Sequence, residues 1–314
     1  MSRAFVFPGQ GAQAIGMGKA LAEAYPQARA VFDEVDEALG EKLSALIWEG
    51  DAETLTLTQN AQPALMATSM AAMAALGAEG VAVTAADYVA GHSLGEYSAL
   101  CAAGAISLPD TARLLRIRGR AMQEAVPVGE GAMAALLGLD LAGARDVAEA
   151  AARETGAVCE AANDNDPTQV VISGSKAAVE RATERAKEAG AKRAVMLPVS
   201  APFHCRLMEP AARVMADALA EVAIETPRVA LVANVPAAAV TAPDEIRTLL
   251  IQQVTHSVRW RESVAWMAAH GVTEAWEIGA GKALSAMIRR IDRTIVTRTV
   301  GTPEEAAAAA ETLQ

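Results

Sequence analysis

The run Gly91-His92-Ser93-Leu94-Gly95 follows the short apolar stretch Tyr88-Val89-Ala90 without a break, and a helical segment ending near Gly104 comes next. A serine with glycine two positions away on each side, set between a strand and a helix, marks a sharp, strained turn that exposes its hydroxyl. Small residues are needed at the flanks because strand and helix close on each other there. The same turn aims the Leu94 amide and the helix N-terminus at negative charge developing beside the serine. The bland alternative is a tight turn with a capping serine. With strand before and helix after, the pattern favours a nucleophile and places the chain among layered α/β folds.

Strands and helices alternate on both sides of this turn. Residues 4–7 read as a strand stopped by Pro8-Gly9. A helix follows Pro26, with Ala28, Val31, Phe32, Val35 and Leu39 on one stripe and Gly40 just past its end. A second long helix is expected from near Pro63 to Leu76, closed by Gly77. Ser107-Leu108-Pro109-Asp110 reads as a helix start, Ser107 as cap and Asp110 in the dipole-favoured first turn. Toward the C-terminus, helices near 206–221, 244–253 and 260–270 alternate with strands near 229–232, 273–278 and 295–299. That alternation argues for a mostly parallel sheet covered on both faces. The five consecutive alanines within residues 304–314 predict a loosely held terminal helix.

Residues 132–197 have a different rhythm. Strand 132–139, helix 141–154, strands 157–161 and 169–173, helix 176–189 and strand 193–197 give the order βαββαβ, a ferredoxin-like unit. Val126-Pro127-Val128-Gly129 and Leu197-Pro198 punctuate its ends. The chain therefore divides into an α/β domain of residues 1–127 and 199–314 and an inserted subdomain of residues 128–198. A length of 314 residues accommodates both.

Composition narrows the function classes. A formal charge of −11 argues against nucleic acid as partner. Hydrophobic residues make up 52%, yet no apolar run approaches the roughly 20 residues that cross a bilayer. The first ten residues lack a basic leader followed by a long apolar core, so a cytoplasmic protein is expected, with no membrane partner. Cys101, Cys159 and Cys205 have no CxxC spacing and read as reduced buried thiols. His92, His204, His256 and His270 show no metal-ligand spacing, and neither a metal nor a cofactor is expected. Gly279-Ala280-Gly281-Lys282 only superficially resembles a phosphate loop: Trp276 stands where the first glycine belongs, and Ala283 lacks the hydroxyl for magnesium. Basic clusters at Arg113, Arg116 and Arg120, at Lys187, Lys192 and Arg193, and at Lys282, Arg289, Arg290 and Arg293 read as solvated helix faces.

A nucleophilic serine needs a base. The side chain of His92 leaves the turn in another direction and reads as structural. His204 lies in Pro198-Val199-Ser200-Ala201-Pro202-Phe203-His204, a loop stiffened by two prolines with a helix just beyond. A helix N-terminus disfavours imidazolium and keeps the ring neutral, as a general base requires. His270 precedes Gly271 and reads as a helix-end cap, while His256 stays open. Arg118 shares a stripe with Leu115, Met122 and Ala125, whereas Arg113, Arg116 and Arg120 point elsewhere. An arginine in an apolar stripe needs an anion. By itself that favours a buried salt bridge; facing a site, Arg118 could instead grip a substrate carboxylate in a bidentate fork.

Four motifs now fall in one order. Phe7-Pro8-Gly9-Gln10-Gly11-Ala12-Gln13, Gly91-His92-Ser93-Leu94-Gly95-Glu96-Tyr97, Arg118-Gly119 and Pro202-Phe203-His204 resemble the malonyl-CoA:acyl-carrier-protein transacylases of bacterial fatty-acid synthesis. The similarity includes Met122-Gln123-Glu124-Ala125-Val126-Pro127 and Glu277-Ile278-Gly279-Ala280-Gly281-Lys282, and runs almost end to end. It implies a hydrolase-like α/β domain with an inserted ferredoxin-like subdomain. It implies Ser93 as nucleophile, His204 as base and later acid, and Arg118 as clamp for the malonyl carboxylate. Gln10 would contribute to the oxyanion hole with the Leu94 amide, and the Gln253 backbone carbonyl would orient His204. The implied partners are malonyl-CoA and acyl carrier protein, with no added cofactor and a monomeric enzyme. Lys282, Arg289 and Arg290 are the candidate docking cations for an acidic carrier.

Four positions depart from the family pattern. Ala12 stands where serine is usual, and His256-Ser257 replaces an Asn-Pro pair. Phe203 stands where many fatty-acid-synthesis members carry serine, and resembles malonyl-specific domains of modular polyketide synthases, where its bulk narrows the space for a 2-methyl branch. A polyketide pathway is therefore one alternative, and a serine thioesterase or esterase the other. An esterase wants Ser, Asp and His in that order and has no use for Arg118.

Overall fold

The computed structural model describes residues 2–199 and 201–314; Ser200, in the loop before His204, lies outside them. The strands are β1 (Ser2–Phe7), β2 (Tyr88–Gly91), β3 (Gly131–Leu137), β4 (Cys159–Asp166) and β5 (Gln169–Ser175), followed by β6 (Arg193–Met196), β7 (Ala230–Ala233), β8 (Ala238–Val240), β9 (Val272–Ile278) and β10 (Val296–Val300). They form two sheets, of order β10-β9-β1-β2-β7-β8 and β4-β5-β3-β6.

The larger sheet is parallel from β10 to β7. Ala4, Phe5, Val6 and Phe7 of the central β1 are all fully buried, as a strand covered on both faces must be. Alternation sends Phe5 and Phe7 to one face, against helices Pro26–Leu39, Thr58–Ala78 and Leu108–Glu124. Ala4 and Val6 go to the other, against helices Trp260–Ala269 and Ala283–Ile291. The antiparallel edge strand β8 was not foreseen, because Ala238-Ala239-Val240 has little strand propensity of its own and forms by pairing with β7.

The smaller sheet is antiparallel, in the ferredoxin-like order. Ala132, Ala134 and Leu136 pack with helices Leu141–Thr155 and Lys176–Glu188, while Met133 and Ala135 face the main core. The two sheets thus enclose a cleft. Strand β4 runs further than the apolar pattern suggests, through Asn163-Asp164-Asn165-Asp166, which reads as a turn and is buried. Each of the last three side chains finds a partner outside the smaller sheet: Asp164 accepts from Arg261 at 3.0 Å, Asp166 from Arg290 at 2.7 Å, and Asn165 bonds His92 at 2.8 Å. Buried polar groups tolerate such a position only when satisfied in this way.

Three expectations need correction. The long helix starts at Thr58, so Pro63 lies inside it, and it runs past Gly77 to Ala78, with the left-handed Gly80 beyond. Thr58, Asn60 and Gln62 resemble a polar loop but are buried and hydrogen-bonded, which extends the helix. The C-terminal helix Pro303–Leu313 is docked, with Ala306, Ala309, Ala310 and Leu313 buried in the main core. Arg116 is no solvated cation: it is buried and bonds Asn60 and Glu41. No helix among the described residues is long and apolar enough to cross a membrane.

Candidate active site

Both turns that carry the site leave the carboxyl ends of neighbouring parallel strands, β1 and β2, where open α/β sheets bind ligands. Ser93 has φ of 55°, a left-handed conformation that a non-glycine residue adopts only under constraint. The constraint is steric. A Cβ on Gly91 would lie 1.9 Å from the Gly95 carbonyl carbon, and one on Gly95 2.2 Å from the Phe7 oxygen. Asn234, at the end of β7, ties the turn from below: its Oδ1 accepts from the Ser93 amide at 2.9 Å and its Nδ2 donates to the Gly91 carbonyl at 2.7 Å.

The Ser93 hydroxyl lies 2.8 Å from His204 Nε2, and His204 Nδ1 lies 2.9 Å from the Gln253 backbone oxygen. That carbonyl can only accept, so it fixes the proton on Nδ1 and leaves Nε2 free to take the serine proton. His204 is also left-handed, with φ of 59°. Its pKa is lowered to about 3, by burial first and the Arg118 charge second, rather than by the helix N-terminus proposed from sequence. That helix, Glu209–Ala220, starts beyond an intervening 3₁₀ turn, Arg206–Met208.

Arg118 is 1% exposed. Nη1 donates to Gln62 Oε1 at 2.8 Å, and Nη2 donates to Gln253 Oε1 at 2.8 Å and to Ser93 Oγ at 3.2 Å. Nε has no acceptor. No ion pair among the described residues includes Arg118, so the buried salt bridge is not what occupies it. The guanidinium lies 5.6 Å from the Tyr97 ring centroid, a cation–π contact that partly offsets its burial.

Ser93, His204 and Arg118 open on a cavity of about 370 Å³ between the two sheets. Gln10 and Leu94 line it as well, with Phe203, Met133 and Val171 on its walls. Gln10 Oε1 accepts from Thr58 Oγ1 at 2.8 Å, and Thr58 accepts from Gln62, which links the first turn to Arg118. Among the described residues, neither the Gln10 nor the Leu94 amide has an acceptor. The remaining histidines are elsewhere engaged: His92 on Asn165, exposed His256 on the Gln252 carbonyl, and His270 on the Trp266 carbonyl.

Sequence reasoning missed Gln62, Glu96 and Asn234. Glu96 is buried, accepts from the Asn234 amide at 2.9 Å and from Gln253 Nε2 at 3.0 Å, and is pushed up to about 7 by burial. A signal existed for two of them: Glu96 follows the elbow directly, and Asn234 stands just after an apolar strand. Gln62 gave none.

A strained serine beside a neutral histidine held by a carbonyl, on a mostly parallel sheet, is the arrangement of a serine nucleophile on a hydrolase-like fold. Residues 4–299 match the acyl transferase domain family. The malonyl CoA-acyl carrier protein transacylase of Bacillus subtilis is 49% identical over 99% of this chain and 97% of its own. The acyl-carrier-protein-S-malonyltransferase of Bartonella henselae superposes with a TM-score of 0.97 at 57% identity, covering 100% of this chain and 99% of that one. A malonyl-transacylase solved with a type II PKS acyl-carrier protein gives 0.95 at 40% identity, covering 99% and 100%. The chain belongs to the malonyl-CoA:acyl-carrier-protein transacylase family.

Proposed function

We propose that this chain moves malonyl from malonyl-CoA to the phosphopantetheine thiol of acyl carrier protein, in fatty-acid biosynthesis, through an ester on Ser93. One observation carries the reading: a buried guanidinium without a carboxylate partner stands 3.2 Å from a serine hydroxyl that is itself 2.8 Å from a neutral histidine. The malonyl carboxylate supplies the direct carboxylate contact that Arg118 lacks and brings the thioester carbonyl to Ser93. Ser93 Oγ attacks that carbonyl as its proton passes to His204 Nε2. The oxyanion takes hydrogen bonds from the Gln10 and Leu94 amides, each worth about 10²–10³ in rate. Coenzyme A leaves with the proton from His204. The carrier thiol then attacks the ester, giving its proton to His204, which returns it to Ser93.

The type II PKS complex among the relatives supports a second carrier, one of a polyketide pathway. A hydrolase is disfavoured, since it would leave the unpaired Arg118 unused. Docking of an acidic carrier falls best to exposed Lys282, next to Ala283 on the cavity wall; Arg290 is tied to Asp166, and Arg289 to Thr297. The working unit in this reading is one cytoplasmic chain, which alone supplies Ser93, His204 and Arg118. Steady-state transfer with both substrates varied tests the proposal. Parallel double-reciprocal lines and a malonylated carrier are expected; free malonate with an unmodified carrier would make the chain a hydrolase.

A further inference from the structure

Arg118 and Glu96 are both 1% exposed and do not touch. Between them lies the Gln253 amide, whose Oε1 accepts from Arg118 Nη2 at 2.8 Å while its Nε2 donates to Glu96 Oε2 at 3.0 Å. The amide dipole thus points its negative end at the guanidinium and its positive end at the carboxylate. Among the described residues no cation pairs with Glu96, and its second donor is the neutral Asn234 backbone amide at 2.9 Å. The Arg118 guanidinium and the buried Glu96 carboxylate are therefore joined through one side chain, which also bonds the Ser93 carbonyl at 3.0 Å and through its backbone oxygen holds His204 at 2.9 Å.

We infer that Glu96 is the counter-charge of Arg118 in the empty enzyme and takes up a proton when a malonyl carboxylate replaces it. The inference rests on the malonyl carboxylate sitting at Arg118. With one buried cation, one buried anion makes a neutral site, whereas two leave an excess negative charge in a low-dielectric interior, which favours protonating the weaker-held carboxylate. The substrate carboxylate meets the guanidinium directly and Glu96 only through an amide, so Glu96 yields. Loading itself consumes no proton: serine hydroxyl and thioester give ester and thiol. Any proton taken up during malonyl loading beyond that seen with acetyl belongs to the protein.

The other buried titratable groups of the site separate cleanly. Tyr97 is pushed up to about 12 and stays neutral. His92 is lowered by burial and already bonded to Asn165. His204 is the competitor for the proton, and its pKa of about 3 gives it the opposite pH signature. Uptake by Glu96, which rests near 7, grows as pH rises through neutrality; uptake by His204 grows as pH falls. Glu96 is thus a positioning and specificity residue that acts through Gln253, making malonyl selectivity proton-linked.

The test loads the full-length protein with one equivalent of malonyl-CoA or acetyl-CoA in weakly buffered indicator dye, and counts protons per ester found by mass spectrometry. The malonyl ester should take up more protons than the acetyl ester, the excess rising from near zero at pH 6 toward one at pH 8. Glu96→Gln should abolish the excess. Equal proton balances for the two esters, an excess that grows toward low pH, or an excess that persists in Glu96→Gln would each overturn the inference. If that variant does not fold, the wild-type pH course alone decides. Failure of the functional reading looks different: no malonyl ester forms, or Arg118→Ala slows both acyl groups alike.

Discussion

Arg118→Ala removes a guanidinium that donates to Gln62, to Gln253 and to the Ser93 hydroxyl, and that has no carboxylate of its own. The substrate carboxylate would lose a two-bond, charge-assisted fork in a desolvated cavity. At about 1.5–3 kcal/mol for each bond to a charged group, the loss of two comes to roughly 3–6 kcal/mol. Each 1.4 kcal/mol is about tenfold, so malonyl loading should fall by about two to four orders of magnitude. Acetyl has no carboxylate to lose, and its loading should hold or rise, so the preference flattens or inverts. Arg118→Lys should recover part of the malonyl rate, because an ammonium cannot reproduce the planar fork. Rapid-quench ester formation with both thioesters measures this, alongside a thermal melt to establish that the variant is folded. The reasoning is refuted if malonyl and acetyl rates fall together in a folded variant, since Arg118 would then serve only to hold Gln253 and Ser93.

Other substitutions probe the remaining parts. His204→Ala should slow loading about a hundredfold or more, the usual size of a general-base effect; near-normal rates would pass the role to another base. With His204 lowered to about 3, the ring is already neutral above that pH, so wild-type loading should show no acid-side loss near 6.5 between pH 5 and 7. A titration at 6.5 would contradict the buried, Arg118-facing imidazole. Gly95→Ala places a methyl 2.2 Å from the Phe7 oxygen and should destabilise by about 1–3 kcal/mol or more, read as a lower urea midpoint; an unchanged midpoint would mean the elbow is looser than described. Phe203→Ala enlarges the cavity beside His204 and should raise methylmalonyl loading relative to malonyl.

What could be read in advance was what local sterics and periodicity dictate. The elbow was legible because Gly91 and Gly95 are needed wherever a strand and helix close this tightly around a serine. The smaller sheet was legible because its strand and helix segments follow in the order βαββαβ between Val126-Pro127-Val128-Gly129 and Leu197-Pro198. Arg118 stood out on an apolar stripe. Arg116, two positions away, did not, because its partners Asn60 and Glu41 arrive from distant segments. The same holds for Gln62, a polar residue whose burial exists only where separate elements meet. Asn163-Asp164-Asn165-Asp166 resembles a turn by composition and is part of a strand whose last three side chains pair with Arg261, His92 and Arg290 from distant segments. For His204 the helix N-terminus was the expected cause of a neutral ring, and burial together with Arg118 is the larger one.

The central claim is that Ser93 carries the malonyl group. Intact mass spectrometry after brief exposure to malonyl-CoA, followed by peptide mapping, addresses it directly. The account predicts one added malonyl group per chain, on the peptide containing Ser93, removed by holo carrier protein and absent in Ser93→Ala. A malonyl group on any other residue, or one that persists in Ser93→Ala, would contradict it.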